Sequence, residues 1–450
     1  MTDEKREQQA ASSPDVEADA HGPNGKAPAA SPAPAVAPKR GGLAVLKVLR
    51  HREFAWFWGG QAISLVGTWM QNFAQSWVVT GITHTAMALG LVNFMLSIPT
   101  LLLMPLGGVA ADRIERRKIL IYTQWLMLVL ALIMGALVAA NRLQMWHVYV
   151  IAILSGVATA YELPSYQSFY PQLVEKEDLT QAISLNQATF HASRIIGPGL
   201  AAWFVALWGT AAAFYANAAS FLFVIGGLLM IRPRPPANAN KGGSAKNFMG
   251  EGFKYVKSRP ELGSLLGITG ITTLFIFPNL AVLMPFYAKH ILATDAKGLG
   301  WIMAVSGFGS FIGAGMLLSV APAARIRRMI LCTATIMVTM SIIAWARSLT
   351  VVVAAAGVQS FAIAHSLGIA SIMVQEEVPN ELRGRVMSLY SLMFTGVMPF
   401  AALLITGLAD AIGMRLELQG AGIIYGILAI LLMLRLHRAH PASLPGEAHA

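Results

Sequence analysis

The stretch that decides the fold is residues 108–117, which read Gly-Val-Ala-Ala-Asp-Arg-Ile-Glu-Arg-Arg. It lies between the second and third of twelve apolar stretches, each long enough to cross the roughly 30 Å hydrocarbon core of a bilayer as a helix. Charged residues make up only 12% of the 450 residues, whereas 56% are hydrophobic, which excludes an ordinary soluble domain of this size. The sequence therefore predicts an all-α integral membrane protein.

The predicted spans fill most of the chain. They lie at 54–80, 85–111, 118–140, 145–168, 180–206, 210–231, 262–290, 298–320, 328–346, 349–374, 385–410 and 417–436. A polar segment rich in Pro and Gly separates six spans from six, which is typical of a linker, and we expect a short amphipathic helix at 250–259. The predicted organisation is a disordered tail at 1–45, a six-helix bundle at 46–231, a linker at 232–261, a second six-helix bundle at 262–436 and a tail at 437–450.

Basic residues are distributed unevenly between the two sides of the predicted membrane. If the N-terminus is cytoplasmic, only five of the 33 Lys and Arg residues lie on the opposite side, namely Arg142, Lys289, Lys297, Arg347 and Arg415. This positive-inside bias predicts that both termini are cytoplasmic. It also explains the net charge of +11 without a nucleic-acid partner.

Several classes of site are excluded by residue counts and spacing. Cys332 is the single cysteine, so an intramolecular disulfide and a cysteine metal site are excluded. The histidines show no metal-ligand spacing, and no Gly-rich phosphate loop follows a strand pattern. We therefore expect no metal, no cofactor and no enzymatic activity.

The decapeptide at 108–117 resembles the signature loop of the major facilitator superfamily. The resemblance rests on Gly108, on the Asp112-Arg113 pair that follows it, and on the paired Arg116 and Arg117. We interpret Gly108 as a point of close helix approach and Asp112 as an acceptor for a neighbouring helix end. The resemblance implies that this segment, here called the gating loop, forms a charge lock between two halves that rock against each other.

A second resemblance concerns the fifth span. Residues 193–202, with Gly197-Pro198 at their centre, resemble the fifth-helix motif of major facilitator antiporters. Together with Glu162-Leu163-Pro164, residues 171–174 and Asn186, this segment resembles the bacterial exporter branch that includes the enterobactin exporter and macrolide efflux proteins. The resemblance covers about residues 45–436. It implies a multi-pass protein of the bacterial cytoplasmic (inner) membrane that works as an antiporter.

Polar side chains inside the first span follow a helical spacing of three and four residues. Because polar groups are costly in hydrocarbon, we interpret this shared face as the lining of an aqueous cavity, with helix–helix hydrogen bonding as the alternative. Residues of the second half are expected to complete the cavity. The face comprises Gln61, Ser64, Thr68, Gln71 and Gln75, and the predicted substrate path comprises Gln61, Thr68, Gln71, Gln75 and Asn279.

Three ionisable residues in the fourth and fifth spans form the predicted proton-coupling site. The hairpin between these spans turns near Lys176, so Glu162, His191 and Arg194 are expected at similar depth. Glu162 is the predicted titrating carboxyl, Arg194 its tuner or an anion contact, and His191 a relay. The alternative is a static ion pair that fixes helix packing.

These features predict a monomeric secondary active transporter. It would export small, partly hydrophobic molecules, drug-like or siderophore-like, by proton antiport with alternating access, and its partners would be the substrate, protons and the lipid bilayer. Three alternatives stay open: a proton-coupled importer of a polar metabolite, a lysolipid flippase, and a non-transporting sensor or scaffold. Buried charge in the hairpin of spans four and five disfavours the last of these.

Overall fold

The computed structural model describes residues 42–233 and 245–439, and within these ranges the chain is helical with short connections and no strand. The N-terminal half contains α1 (Arg52–Ile82), α2 (Met87–Arg113), α3 (Arg116–Ala139), α4 (Met145–Phe169), α5 (Leu179–Trp208) and α6 (Thr210–Leu229). Helix α7 (Ala245–Ser258) precedes the C-terminal half. That half contains α8 (Pro260–Ile271), α9 (Met284–His290), α10 (Ala296–Gly315), α11 (Arg325–Trp345), α12 (Leu349–Glu377), α13 (Asn380–Thr395), α14 (Met398–Ile412) and α15 (Met414–Ala439).

The predicted membrane architecture is confirmed. Eleven helical segments of the described chain are long and apolar enough to cross a membrane. Helix α1 is 31 residues long and provides a twelfth segment of sufficient length. Its stripe of glutamines and hydroxyl residues explains why its hydropathy is lower than that of the other segments.

Two of the predicted spans are interrupted helices. The seventh span runs through α8, two π-helical turns at Thr272–Ile276 and Asn279–Leu283, and α9. The two π turns flank Pro278, which lacks an N–H group and clashes with the carbonyl of the preceding turn. The eleventh span is divided into α13 and α14 near Gly396. The predicted linker helix is present as α7 but begins earlier, whereas residues 234–244 and the tails at 1–41 and 440–450 lie outside the described residues.

Close helix contacts through small residues recur in the two halves. In the N-terminal half, a Cβ at Gly107 would overlap the carbonyl oxygen of Ala160, which brings α2 against α4. In the C-terminal half, a Cβ at Gly313 would overlap the carbonyl oxygen of Phe361, which brings α10 against α12. Small residues of this kind allow backbones to approach closely in membrane bundles.

Candidate substrate cavity and gates

A cavity of about 540 Å³ lies inside the N-terminal half. All six helices of this half contribute to its wall, and every lining residue falls between Gln61 and Phe221. Its size is in the range of small-molecule sites. Apolar side chains such as Leu65, Met127 and Phe190 alternate with carboxamides and hydroxyls around the wall. The cavity can therefore accommodate a molecule with both apolar and polar surface.

The polar stripe of α1 forms one side of this cavity. The five residues Gln61, Ser64, Thr68, Gln71 and Gln75 all line it, and Asn72 joins them. The helical spacing therefore places these side chains on one shared wall. That a substrate moves along this wall stays a prediction.

A hydrogen-bond network fixes the α1 stripe against α6. Asn217 Nδ2 donates to Gln71 Oε1 at 2.8 Å, and Ser220 Oγ donates to Asn217 Oδ1 at 2.9 Å. Gly67 makes this approach possible, because a Cβ there would lie 2.5 Å from both Asn217 Oδ1 and Ser220 Oγ. Asn217 was missed by the sequence analysis, since one asparagine in an apolar span shows no periodicity.

The Glu162 carboxyl lies in the part of the cavity wall that α4 forms. Ser155, Thr159, Glu162 and Tyr166 form a polar face of α4, and all four line the cavity. Gln124 of α3 donates from Nε2 to Glu162 Oε1 at 2.8 Å, and Gln124 itself is only 2% exposed. The Gln124 Oε1 atom has no hydrogen-bond donor among the described residues. Gln124 is thus the partner of Glu162, and the sequence analysis missed it.

No ion pair of the described residues joins Glu162 to His191 or Arg194. The ion pairs of the described residues involve other acids. The Arg194 guanidinium lies 5.9 Å from the Trp69 ring centre, a cation–π distance. The His191 ring packs edge-on against Phe190. The Arg194 guanidinium lies beside the indole ring on α1 instead, so the static ion pair that was the alternative is absent from this conformation. The proton-coupling roles of the three residues stay a prediction.

Asn279 is the predicted path residue that lies apart from the others. It is 2% exposed and does not belong to the cavity lining. Its Nδ2 atom donates to Phe275 O at 2.9 Å and to Glu417 Oε1 at 3.2 Å. The expectation that the second half completes this cavity is therefore wrong for this conformation.

The side-chain hydrogen bonds and ion pairs found for the gating loop in the described residues stay within the N-terminal half. Asp112 lies 3.6 Å from Arg116 Nη2, and its side chain is 56% exposed. Arg116 donates to Ser168 O at 3.1 Å, and Arg117 donates to Leu228 O at 2.6 Å. These guanidinium groups bind carbonyl oxygens at the ends of α4 and α6, where cations stabilise helices. The interdomain lock predicted for Asp112 stays a prediction.

Gly108 does not have the packing role that was expected. A Cβ at Gly108 would meet nothing within 4 Å, whereas a Cβ at the preceding Gly107 would overlap α4. One residue of helix rotates the side chain by about 100°, so Gly107 faces the neighbouring helix and Gly108 does not. The interpretation of Gly108 as a close-approach residue is wrong. Arg113, the remaining predicted loop residue, is exposed.

The two halves are joined at the end of the bundle that lies opposite to the gating loop, beside the α1–α2 turn. The carboxylate of Asp410 on α14 accepts hydrogen bonds from Ala86 N at 2.7 Å and Met87 N at 2.8 Å. It therefore caps the start of α2 from the other half, a favourable position for a negative charge. His290 of α9 contacts Thr80 O at 3.1 Å, and Lys289 Nζ lies 4.9 Å from the Trp77 ring centre. This end of the molecule is closed by contacts between the halves.

Comparison with known proteins identifies the family. The model of the transmembrane secretion effector family matches residues 43–447. The chain belongs to this family of the major facilitator superfamily. The resemblance derived from its sequence motifs is confirmed, and the protein is a polytopic membrane transporter of bacterial major facilitator type.

Relatives within the superfamily include named efflux proteins. Macrolide efflux protein A of Streptococcus pyogenes is 24% identical over 372 residues, which cover 81% of this chain and 91% of the relative. Multidrug efflux pump Tap of Mycolicibacterium fortuitum is 23% identical over 381 residues, which cover 82% and 92%. The crystal structure of the POT family transporter PepTSo is similar in fold, with a TM-score of 0.66, 12% identity, and coverage of 87% and 99%.

The fifth-helix motif of this superfamily member lies at two helix interfaces. A Cβ at Gly197 would overlap the Trp69 side chain, which brings α5 against α1. Pro198 follows inside the continuous helix α5, and its carbonyl oxygen lies 3.6 Å from the Cβ position of Gly300 on α10. The motif therefore packs on its own half and on the other half. Its role in antiport stays a prediction.

A charged cluster ties the segment before α1 to the α4–α5 connection. His51 Nε2 lies 2.7 Å from Asp178 Oδ2, and Arg50 Nη2 donates to the same oxygen at 2.8 Å. His51, Glu175 and Asp178 present ligand-type atoms within 4.8 Å of one another. The Arg50 guanidinium, which binds Asp178, supplies the positive charge that a metal ion would bring. We therefore interpret this cluster as an ion pair that anchors the segment before α1, and not as a metal site.

Proposed function

We propose that the protein exports small, partly hydrophobic molecules across the bacterial cytoplasmic membrane by proton antiport. The observation that carries this proposal is the cavity with a carboxyl in its wall. Its mixed lining suits a molecule with apolar and polar surface. The names of the relatives, which are macrolide and multidrug efflux proteins, support export and this substrate class.

Glu162 provides the proposed coupling between proton and substrate. Its carboxylate receives a hydrogen bond from neutral Gln124, and no ion pair recorded for the described residues balances its charge. A charge in a low-dielectric wall is stabilised strongly by any cation that reaches it. A proton and a cationic group of the substrate would compete for this one carboxylate. Binding of either species would release the other, which is the requirement for antiport.

Two acidic residues at opposite ends support alternating access. In this structure Asp410 joins the halves, while Asp112 forms its ion pair with Arg116 of its own loop. We assign the gating loop to the cytoplasmic end from the basic-residue bias, so this conformation is closed toward the outside. When the halves rock, the bonds of Asp410 would break, and Asp112 would accept hydrogen bonds from the second half.

The direct test is accumulation of a macrolide in cells with and without the gene, each with and without an uncoupler. We expect lower accumulation in cells that carry the gene and no difference once the uncoupler has removed the proton gradient. Higher accumulation with the gene would identify an importer. A reduction that persists with the uncoupler would contradict proton coupling.

The membrane orientation has its own test. In a Cys332→Ala background, His84→Cys at the closed end and Lys257→Cys on α7 place single thiols at exposed positions. A membrane-impermeant maleimide applied to intact cells should label position 84 and leave position 257 unlabelled. Labelling at position 257 would reverse the assignment of both termini and of the linker.

A further inference from the structure

The C-terminal half buries a carboxyl group that the proposed mechanism does not use. Glu417 of α15 and Asn279 of the seventh span are each 2% exposed. Asn279 Nδ2 donates to Glu417 Oε1 at 3.2 Å. Asn279 begins a π-helical turn, a distortion that occurs frequently at functional sites.

Two oxygen atoms of this pair have no hydrogen bond within the described parts of the chain. Glu417 Oε2 and Asn279 Oδ1 both have no donor among the described residues. The amide nitrogen of Asn279 already donates to Glu417 and to the Phe275 carbonyl oxygen. An ionised carboxyl is an acceptor only, and buried acceptors are normally paired. The two free oxygens are therefore satisfied only if the site also binds a hydrogen-bond donor or a cation.

Titratable groups on α9, α14 and α15 are engaged elsewhere. Asp410 of α14 is bound to Ala86 and Met87, and the Arg415 guanidinium lies 5.9 Å from the Trp345 ring centre. Tyr287 donates to Ile343 O. In the described parts of the chain, Glu417 forms no ion pair or hydrogen bond with these groups, nor with Lys289, Cys332 or Tyr425. The described part of the chain thus supplies no cation to this carboxyl.

We propose that Glu417 and Asn279 form a proton-binding site in the C-terminal half. The proton is taken from water and held on Glu417 Oε2, which then donates to Asn279 Oδ1 while Asn279 Nδ2 donates to Glu417 Oε1. One proton satisfies both free oxygens and removes a buried charge. A hard metal cation is a poorer fit, because such ions take six or more oxygen ligands and this site offers two.

The Glu162–Gln124 pair of the cavity has a related arrangement. There too a carboxamide nitrogen donates to the acid, and the carboxamide oxygen has no donor among the described residues. A role for Glu417 in coupling rests on the proposed proton antiport. The bound proton itself does not depend on that function and is tested separately.

Infrared spectroscopy of the purified full-length protein in lipid tests the proposal. A protonated carboxyl gives a C=O stretch separate from the carboxylate bands, and this stretch shifts in heavy water. At neutral pH we expect Glu417→Gln to remove one such band, whether the salt is sodium chloride or choline chloride. Glu162→Gln serves as the control and should leave that band in place.

Several results would overturn the proposal. If Glu417→Gln removes only carboxylate intensity, Glu417 is ionised and the proposal is wrong. If the band is present in choline chloride and absent in sodium chloride, the site binds the metal ion instead. Should Glu417→Gln fail to fold, Asn279→Leu keeps the acid and removes its acceptor, so an unshifted band would contradict the pairing. The two proposals can also fail separately. If Glu417→Gln removes the band but cells with the native gene show no uncoupler-sensitive export, the proposed function is refuted and the proton site stands.

Discussion

The two halves of the molecule each pair one carboxyl with one carboxamide, but the surroundings of the two pairs differ. Glu162 and Gln124 lie at the wall of a 540 Å³ cavity. Glu417 and Asn279 lie in packed protein, each 2% exposed. The first pair therefore faces a cavity, whereas the second pair is enclosed by packed protein. The comparison teaches that the two pairs share their residue types and differ in access, so an exchange of protons with a substrate is proposed for the pair at the cavity alone.

The largest effect is expected for Glu162→Gln. The change removes the exchangeable charge, and the new amide can donate to the free oxygen of Gln124, so the fold should persist. In proteoliposomes with a gradient of one pH unit, exchange of one proton per substrate supports about a tenfold substrate gradient. We expect this gradient to disappear in the variant while downhill exchange continues.

A matched control is Glu177→Gln, which removes an exposed acid from the α4–α5 connection. It should leave the substrate gradient unchanged. Concentrative transport by Glu162→Gln would show that Glu162 does not carry the proton, and the difference between the two halves would lose its functional meaning.

The enclosed pair should matter more for stability than for exchange. Glu417→Ala leaves the Asn279 amide with one partner fewer in a buried site and is expected to cost about 1–3 kcal/mol. Glu417→Gln keeps the size and supplies a donor for Asn279 Oδ1, so it should retain most of that stability. Thermal unfolding in detergent measures both variants. Equal destabilisation by Gln and Ala would argue that the native carboxyl is ionised.

The wall that keeps the first pair accessible depends on Gly67. Gly67→Ala places a Cβ against Asn217 and Ser220, which should separate α1 from α6 and cost about 1–3 kcal/mol. Gly59→Ala on the same helix is the control, because its Cβ would meet nothing within 4 Å. The unfolding temperature and the transport rate of both variants are measured. If Gly67→Ala changes them no more than Gly59→Ala does, this account of the wall is wrong.

The smallest effect is expected at the closed end. Asp410→Asn keeps an acceptor for the start of α2 but removes the charge. We expect this to destabilise the closed conformation by about 1 kcal/mol, which corresponds to roughly a fivefold change in the ratio of open to closed molecules. Spin labels at the exposed positions Thr85 and Ile412, introduced as cysteines in a Cys332→Ala background, should report a larger population with this end open.

Asp112→Asn is the counterpart at the other end. Its contacts in this structure are local, so it should not increase the open population between positions 85 and 412. If both substitutions increase that population equally, the two acids do not act as alternate latches.

The sequence by itself determined the elements and one wall of the site. The helices follow the predicted spans within a few residues, because apolar length is a local property that a bilayer selects directly. The face of α1 from Gln61 to Gln75 was also predictable from the sequence, because helical periodicity fixes which side chains lie together within one helix.

Only the tertiary structure decided the partners between helices. Arg194 contacts Trp69 instead of Glu162, Gln124 takes the place beside Glu162, and Gly107 rather than Gly108 meets α4. Each outcome depends on how one helix is rotated and translated against another, which spacing along a single helix does not specify. Glu417 was overlooked because it marks the start of the predicted last span, a position that water would reach. The packing of α15 against the π-helical turns of the seventh span buries it instead.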